Sequence, residues 1–238
     1  MKFLLPLLMF FYAPINADSA SKVGGKKFDQ VKLDLKQYDE TIEDKKSLFL
    51  LVPKDLNDKE WVKKKLFHMV EIDQYTRKFL NTPNRNKYSE EEKEYFHKKF
   101  MPRFSSLDKE NTTELKKLLN RYGWFKISEF GEQADRGAWL LVQHADLDLD
   151  FQKEVLTTLA KLYPIGETNR TNYAYLYDRV KAIGEGRPQR YGTQGQCVGK
   201  GIWKPHKIEE PENVDERRKS MGMPSMEEYK SGFKNICN

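Results

Sequence analysis

Three short segments concentrate the side chains that could do chemistry: Gln143-His144-Ala145-Asp146, Asp178-Arg179-Val180 and Tyr191-Gly192-Thr193-Gln194. Apolar residues flank the first two. Polar groups in such surroundings need partners inside the protein, because burying one unpaired costs on the order of 1–3 kcal/mol. The three segments are therefore expected to form one polar site. On a helix, His144 and Asp148 share a face, being four apart, whereas Asp146 points elsewhere unless the helix breaks at Ala145. The imidazole is then either a metal ligand or a general base held by a carboxylate. The structural alternative is a buried histidine bonded to backbone, with Asp146 or Asp148 only capping a helix. A single histidine with nearby carboxylates lacks the spacing of the two-histidine zinc motifs, so no metal site is assigned.

The remaining candidates are substrate-holding groups. Arg179 suits a carboxylate or phosphate in a forked geometry, or else an ion pair that joins helices. Asp178 and Arg179 are neighbours on a helix and need not pair with each other. Gln189, Tyr191, Thr193 and Gln194 carry donors and acceptors on a glycine-rich segment whose backbone could approach a ligand, or else serve turns and hairpin pairing. Asp73 and Arg77 are four apart and can pair on one face, with Gln74 beside them. Arg217 and Arg218 could bind an anion or lie on a solvated face. As an enzyme, the chain would use His144, Asp146 and Asp178 for acid–base work, and Gln74, Arg77, Gln143, Arg179, Gln189, Tyr191, Gln194 and Arg217 to hold substrate. Hydrolysis of a polar or phosphate-bearing molecule suits those residue types. There is no serine nucleophile elbow, phosphate loop or dinucleotide fingerprint in the sequence, and no cofactor is assigned. As a ligand-binding or host-interaction module, the same residues would form a closed hydrogen-bond network that fixes helix packing.

The elements that must position these groups are mainly α. Asp58 opens a helix that runs to Leu80. Ser89 with Glu92 is a capping box for a helix through Phe100. A separate helix is predicted from about Thr112 to Tyr122, ended by Gly123. Further helices are expected over about 132–145, 149–162 with Asp148 as cap, 171–183, 214–221, and after a second capping box at Ser225 and Glu228. Gln189 to Val198 and Ile202 to Ile208, around Gly199-Lys200-Gly201, read as a β-hairpin or folded-over flap. Residues 31–56 are ambiguous, and Leu48 to Val52 fits either a short strand or a helix. The expected architecture is a helical bundle-like single domain over 58–238, with a small glycine-rich β-hairpin near the C-terminus and a partly disordered extension over 18–57.

Composition narrows the classes. Thirteen per cent aromatic residues support a core built on large rings. The net charge is +6, but the lysines come in short runs between acidic residues, which is the pattern of solvated helix faces. No basic stripe with interleaved aromatics speaks for nucleic acid; a small polar ligand or substrate is the expected partner. Met1-Lys2, the apolar run Phe3 to Tyr12 and the small residues Ala13, Ala17 and Ala20 make 1–17 a signal peptide, with a retained anchor as the alternative. Export to a periplasm or the medium follows, with no stable membrane span once the leader is removed. In that compartment Cys197 and Cys237, the only cysteines, are expected to pair and tie the chain end to the body; two free thiols are the alternative.

Taken in order, Asp73-Gln74-x-x-Arg77, Gly123-Trp124, Gln143-His144-Ala145-Asp146, Ala174-Tyr175-Leu176-x-Asp178-Arg179-Val180, Gln189-x-Tyr191-Gly192-Thr193-Gln194, Val214-Asp215-x-Arg217-Arg218 and Gly222 resemble a bacterial family known as domain-of-unknown-function family 6624. The resemblance spans about residues 66–229. It implies bacterial origin and one domain over that span, and it carries no activity.

Overall fold

The computed structural model describes residues 28–52, 54–82 and 87–237. The leader expected at 1–17 lies outside them. Helices dominate: α1 (Asp29–Leu50), α2 (Lys59–Leu80), α3 (Glu90–Tyr122), α4 (Ile127–Phe130), α5 (Glu132–Gln143), α6 (Leu149–Leu162), α7 (Arg170–Arg179), α8 (Val214–Ser220) and α9 (Met226–Ser231). Two antiparallel strands, β1 (Gly195–Gly199) and β2 (Ile202–Pro205), form the expected hairpin. The chain divides into two compact units. Among the described residues, the first holds 28–125 and 129–144, and the second holds 126–128 and 145–237.

In the first unit α1, α2, α3 and α5 pack together. Asp58 caps α2 by accepting from Glu60 N at 2.9 Å. The Ser89–Glu92 box starts α3, with Glu90, Glu91 and Glu92 at the positive end of the helix dipole. Where the sequence reading has two helices, at 89–100 and 112–122, α3 runs unbroken for 33 residues. Its buried positions explain why: Phe96, Phe100, Phe104, Leu107, Asn111, Leu115 and Leu118 recur every three or four residues across the supposed gap. Pro102 interrupts only the solvent side, where the carbonyl it orphans can meet water. The ambiguous stretch before Asp58 is also helical. In α1, Val31, Leu35 and Tyr38 are buried at helical spacing and join Phe96, Phe100 and Phe104 in one aromatic core. Tyr38 reaches Thr76 of α2 by a 3.0 Å hydroxyl contact, and Arg103 of α3 grips Asp39 with two 2.7 Å bonds.

In the second unit Asp148 caps α6 through Phe151 N at 3.2 Å, and Asn169 caps α7 through Thr171 N at 2.9 Å. The helix expected to run to Ile183 changes at Val180 into a single π turn, in which Glu185 N donates to Val180 O at 2.9 Å. The hairpin pairs Gln196 with Lys204 and Cys197 with Trp203. The paired strands are shorter than the arms 189–198 and 202–208 expected from sequence; beyond them Gln189 and Ile208 form only an isolated parallel bridge. Trp203, Val214, Met226, Tyr229, Phe233 and Cys237 form the core beneath it. Cys197 and Cys237 are joined in a disulfide with Cα atoms 5.3 Å apart, and Gly201 N lies against the Cys237 carbonyl.

The disulfide closes a loop 40 residues apart in sequence. Chain-entropy arguments put its contribution at roughly 4 kcal/mol. A Cys197→Ser/Cys237→Ser double variant is expected to unfold at lower denaturant by about that much, and intact mass with and without reductant should show no alkylatable thiol before reduction.

Candidate functional site

The residues singled out from sequence fall into two sets, one in each unit. In the first unit α2 supplies Asp73 and Arg77, α3 supplies Asp108, and His144 stands at the C-cap of α5. Asp73 and His144 are 1% and 2% exposed. His144 Nδ1 lies 2.8 Å from Asp73 Oδ1 and also 2.8 Å from Arg77 Nε. One ring nitrogen cannot serve both. Because Asp73 is an anion, Nδ1–H donating to it is the stronger arrangement. Arg77 Nε then turns to the same carboxylate, at 3.2 and 3.3 Å, while its Nη2 donates to Asp108 at 2.6 Å. The Arg77 guanidinium also lies 4.6 Å over the Phe104 ring. Three helices are thus pinned at one arginine–carboxylate–imidazole knot. Gln74, on the exposed side of α2, donates to Asp73 Oδ2 at 2.8 Å. Gln143 is buried, and its amide nitrogen has no hydrogen-bond partner among the described residues.

Burial by itself would raise the Asp73 pKa. The charge and hydrogen bond of His144, with Arg77 and Gln74, overturn that and hold it at about 2.

The helix expected over about 132–145 ends at Gln143, and Asp148 starts α6 in the second unit. Asp146 is therefore free of the α5 face, and Arg179 grips it through Nε at 2.7 Å and Nη2 at 2.5 Å. Gln152 of α6 donates to Asp146 at 3.2 Å. Arg179 Nη1 lies 3.4 Å from Gln194 Oε1, and Gln194 Nε2 donates to Thr193 Oγ1 at 3.0 Å.

Asp178, 0% exposed, does something different from its neighbour. It accepts from the backbone N–H groups of Arg190 (2.8 Å), Tyr191 (2.9 Å) and Thr193 (2.9 Å). The loop 190–193 is a concave row of amides, the kind of backbone cradle that ordinarily takes an anion. Here a carboxylate from α7 fills it. Gly192 makes the bend with φ 69° and sits so close to Met226 and Ile208 that a Cβ would meet Met226 Sδ at 2.6 Å. Its close approach therefore serves the protein's own core. Arg218, 0% exposed, completes the clamp by donating to Tyr191 O and Pro224 O, each at 2.6 Å. Its guanidinium lies 4.6 Å over Tyr229. Gln189 closes the other end. Its side-chain amide donates to Gln194 O and accepts from Gln194 N, both at 2.8 Å, and donates to His206 O at 3.0 Å. Arg217 holds the outer strand of the loop, donating to Arg190 O at 2.9 Å, Glu210 O at 3.0 Å and Glu209 O.

Burial raises the Asp178 pKa to about 6, against the backbone bonds from Thr193, Tyr191 and Arg190 that pull it down. Burial also lowers the pKa of Arg218 and carries the Tyr191 phenol above its ordinary range. Among the described residues no group of three or more His, Cys, Asp or Glu side chains is placed to hold a metal ion.

Sequence reading missed Asp108 and Gln152. Asp108 lies four residues after Phe104 and three before Asn111, on the buried stripe of α3; treating residues 101–111 as a gap hid that signal. Gln152 carried a weaker one, being four residues after the capping Asp148.

With that geometry in view, the family relation has a frame. The model of a family of unknown function, DUF6624, matches residues 61–236. The chain belongs to that family. No curated protein and no solved structure matches it.

Two linked expectations follow. Asp73 ionises at about 2 when folded and 3.8 as the free group. A depressed folded pKa gives stability that is present above pH 4 and lost as pH falls towards 2, here about 2 kcal/mol. The gap in unfolding free energy between wild type and Asp73→Asn should shrink by that amount across this window in urea titrations; a pH-independent gap contradicts the knot. Asp178→Asn places an NH2 against backbone N–H groups, and should cost about 1–3 kcal/mol at neutral pH.

Proposed function

We propose that this chain is an exported bacterial protein that acts as a ligand-binding or host-interaction module, with its QHAD, DRV and YGTQ residues forming the internal hydrogen-bond framework. The observation that carries the reading is the Asp178 carboxylate. It is buried, bonded to three amides of one loop, those of Arg190, Tyr191 and Thr193, and flanked by an arginine that holds the opposite side of Tyr191. Those three N–H groups and the Thr193 side chain occupy its oxygens, and at 0% exposure it presents no surface on which a substrate could exchange a proton. Arg179, likewise, spends its fork on Asp146 rather than on a ligand anion. Polar groups used this way fix one loop conformation, which leaves recognition to the surfaces they support. The disulfide and the lack, among the described residues, of a helix long and apolar enough to cross a membrane are compatible with export.

A second reading rests on the first unit. Asp73 holding Nδ1 of His144 at 2.8 Å is the pairing that orients an imidazole as general base. In that reading His144, steered by Asp73, serves hydrolysis of a polar or phosphate-bearing molecule, and Arg77 supplies positive charge beside it.

Melting curves of His144→Ala separate the two, together with turnover of p-nitrophenyl esters and phosphates. The framework reading expects a fall in Tm of at least about 5 °C and no turnover by wild type. A wild type that hydrolyses one of these, and a His144→Ala variant that keeps its Tm but loses the turnover, would transfer the assignment to the enzyme.

A further inference from the structure

The last turn of α1 and the residue after it expose an apolar cluster that the core does not use. Leu48, Leu50 and Leu51 are 66%, 82% and 79% exposed and lie within four residues of one another, so they form a patch, unlike the isolated Leu147 and Ile165. Their neighbour Phe49 points the other way. Its ring stacks on His68 with centroids 4.6 Å apart and meets Trp61 at 5.9 Å. That anchor fixes the turn on α2, so the three leucines project from a supported position.

Lysines surround the same corner. In sequence the apolar run is flanked by Lys45 and Lys46 on one side and Lys54 on the other. Lys65 of α2 lies 5.2 Å over the Phe49 ring. Its ammonium is held below its ordinary pKa by burial first, and then by repulsion from Lys54, Lys117 and Lys46 against the pull of Glu114, which places these charges close together. Acidic partners answer only part of the set. Lys45 pairs with Glu71, Lys46 with Glu110 at 2.7 Å, and Lys117 with Glu114 at 3.3 Å. Lys54 and Lys65 form no ion pair among the described residues.

We propose that this corner docks on an anionic lipid surface, with Leu48, Leu50 and Leu51 entering the headgroup boundary and Lys54, Lys65 and their neighbours facing lipid phosphates. Exposed leucines explain the apolar half of such a contact, and the unanswered lysines supply the charge complement that selects anionic over neutral lipid. A neutral protein face would also accept the leucines, but it would leave Lys54 and Lys65 unanswered.

Cosedimentation of the full chain with vesicles tests this. Vesicles of equimolar phosphatidylglycerol and phosphatidylcholine should carry the protein down, pure phosphatidylcholine should not, and high salt should weaken the binding. Leu50→Glu/Leu51→Glu should reduce binding at least about tenfold, and Lys54→Glu by about fivefold. All three residues are exposed, so Tm should stay within a degree or so of wild type. Equal binding to neutral vesicles, no binding to either, or variants that bind as wild type would overturn the proposal. So would a dimer in size-exclusion chromatography that Leu50→Glu/Leu51→Glu dissolves, because the leucines would then cover a second copy of the chain.

Discussion

A carboxylate meeting three backbone amides governs the second unit. The loop 190–193 turns too sharply to satisfy its own N–H groups by strand pairing, and its Tyr191 is buried in a core with Ala174, Met221 and Met223 where water cannot do so. Asp178 answers those donors from α7. Arg218 answers the Tyr191 carbonyl from α8. One residue's peptide groups are thus clamped from both sides by opposite charges on two different helices. The π turn directly after Arg179 belongs to the same arrangement, because the chain must leave α7 at once and return as the loop that α7 itself holds. Gly192, Gln189 and Arg217 then fix the bend, the base and the outer edge.

The first unit solves a similar problem with side chains alone. Asp73 would be costly to bury as an anion, yet His144, Arg77 and Gln74 surround it, and its pKa is depressed rather than raised. Asp178 has the opposite outcome, with a pKa of about 6, because burial raises it and the groups bonded to it, three backbone amides and the Thr193 side chain, are neutral. The contrast shows how the kind of partner, and not the degree of burial, decides the sign. Both carboxylates are almost wholly buried. Only the one facing charged groups is more acidic than the free side chain.

How much of this was legible in the sequence varies with the kind of signal. Caps carried the helix starts: Asp58, Ser89, Asp148 and Ser225 mark them correctly, since each side-chain acceptor sits before an apolar-periodic run. The cysteine pairing and the existence of the hairpin followed from composition and from the glycine pair at 199 and 201, whereas its strands, 195–199 and 202–205, are shorter than the arms read from sequence. The Asp73–Arg77 pair followed from its spacing. Legibility failed where the apolar periodicity was not followed far enough. The helix expected from sequence stops at Phe100, while the stripe from Phe96 to Leu118 continues through Pro102 without a break. Charge density concealed α1, whose three buried positions are outnumbered by lysines and acids. The particular partners were beyond sequence altogether, because Asp178 is satisfied by backbone amides, which every residue type except proline carries.

The central claim is that the Asp178 carboxylate holds the amides of Arg190, Tyr191 and Thr193 in the folded protein. Native-state hydrogen exchange read residue by residue tests it directly. Those three amides should exchange far more slowly than the neighbouring exposed loop, and the protection should fall in Asp178→Asn while the amides of α6 keep theirs. Exchange at the three positions as fast as in an unstructured chain, or unchanged by Asp178→Asn, would contradict the account.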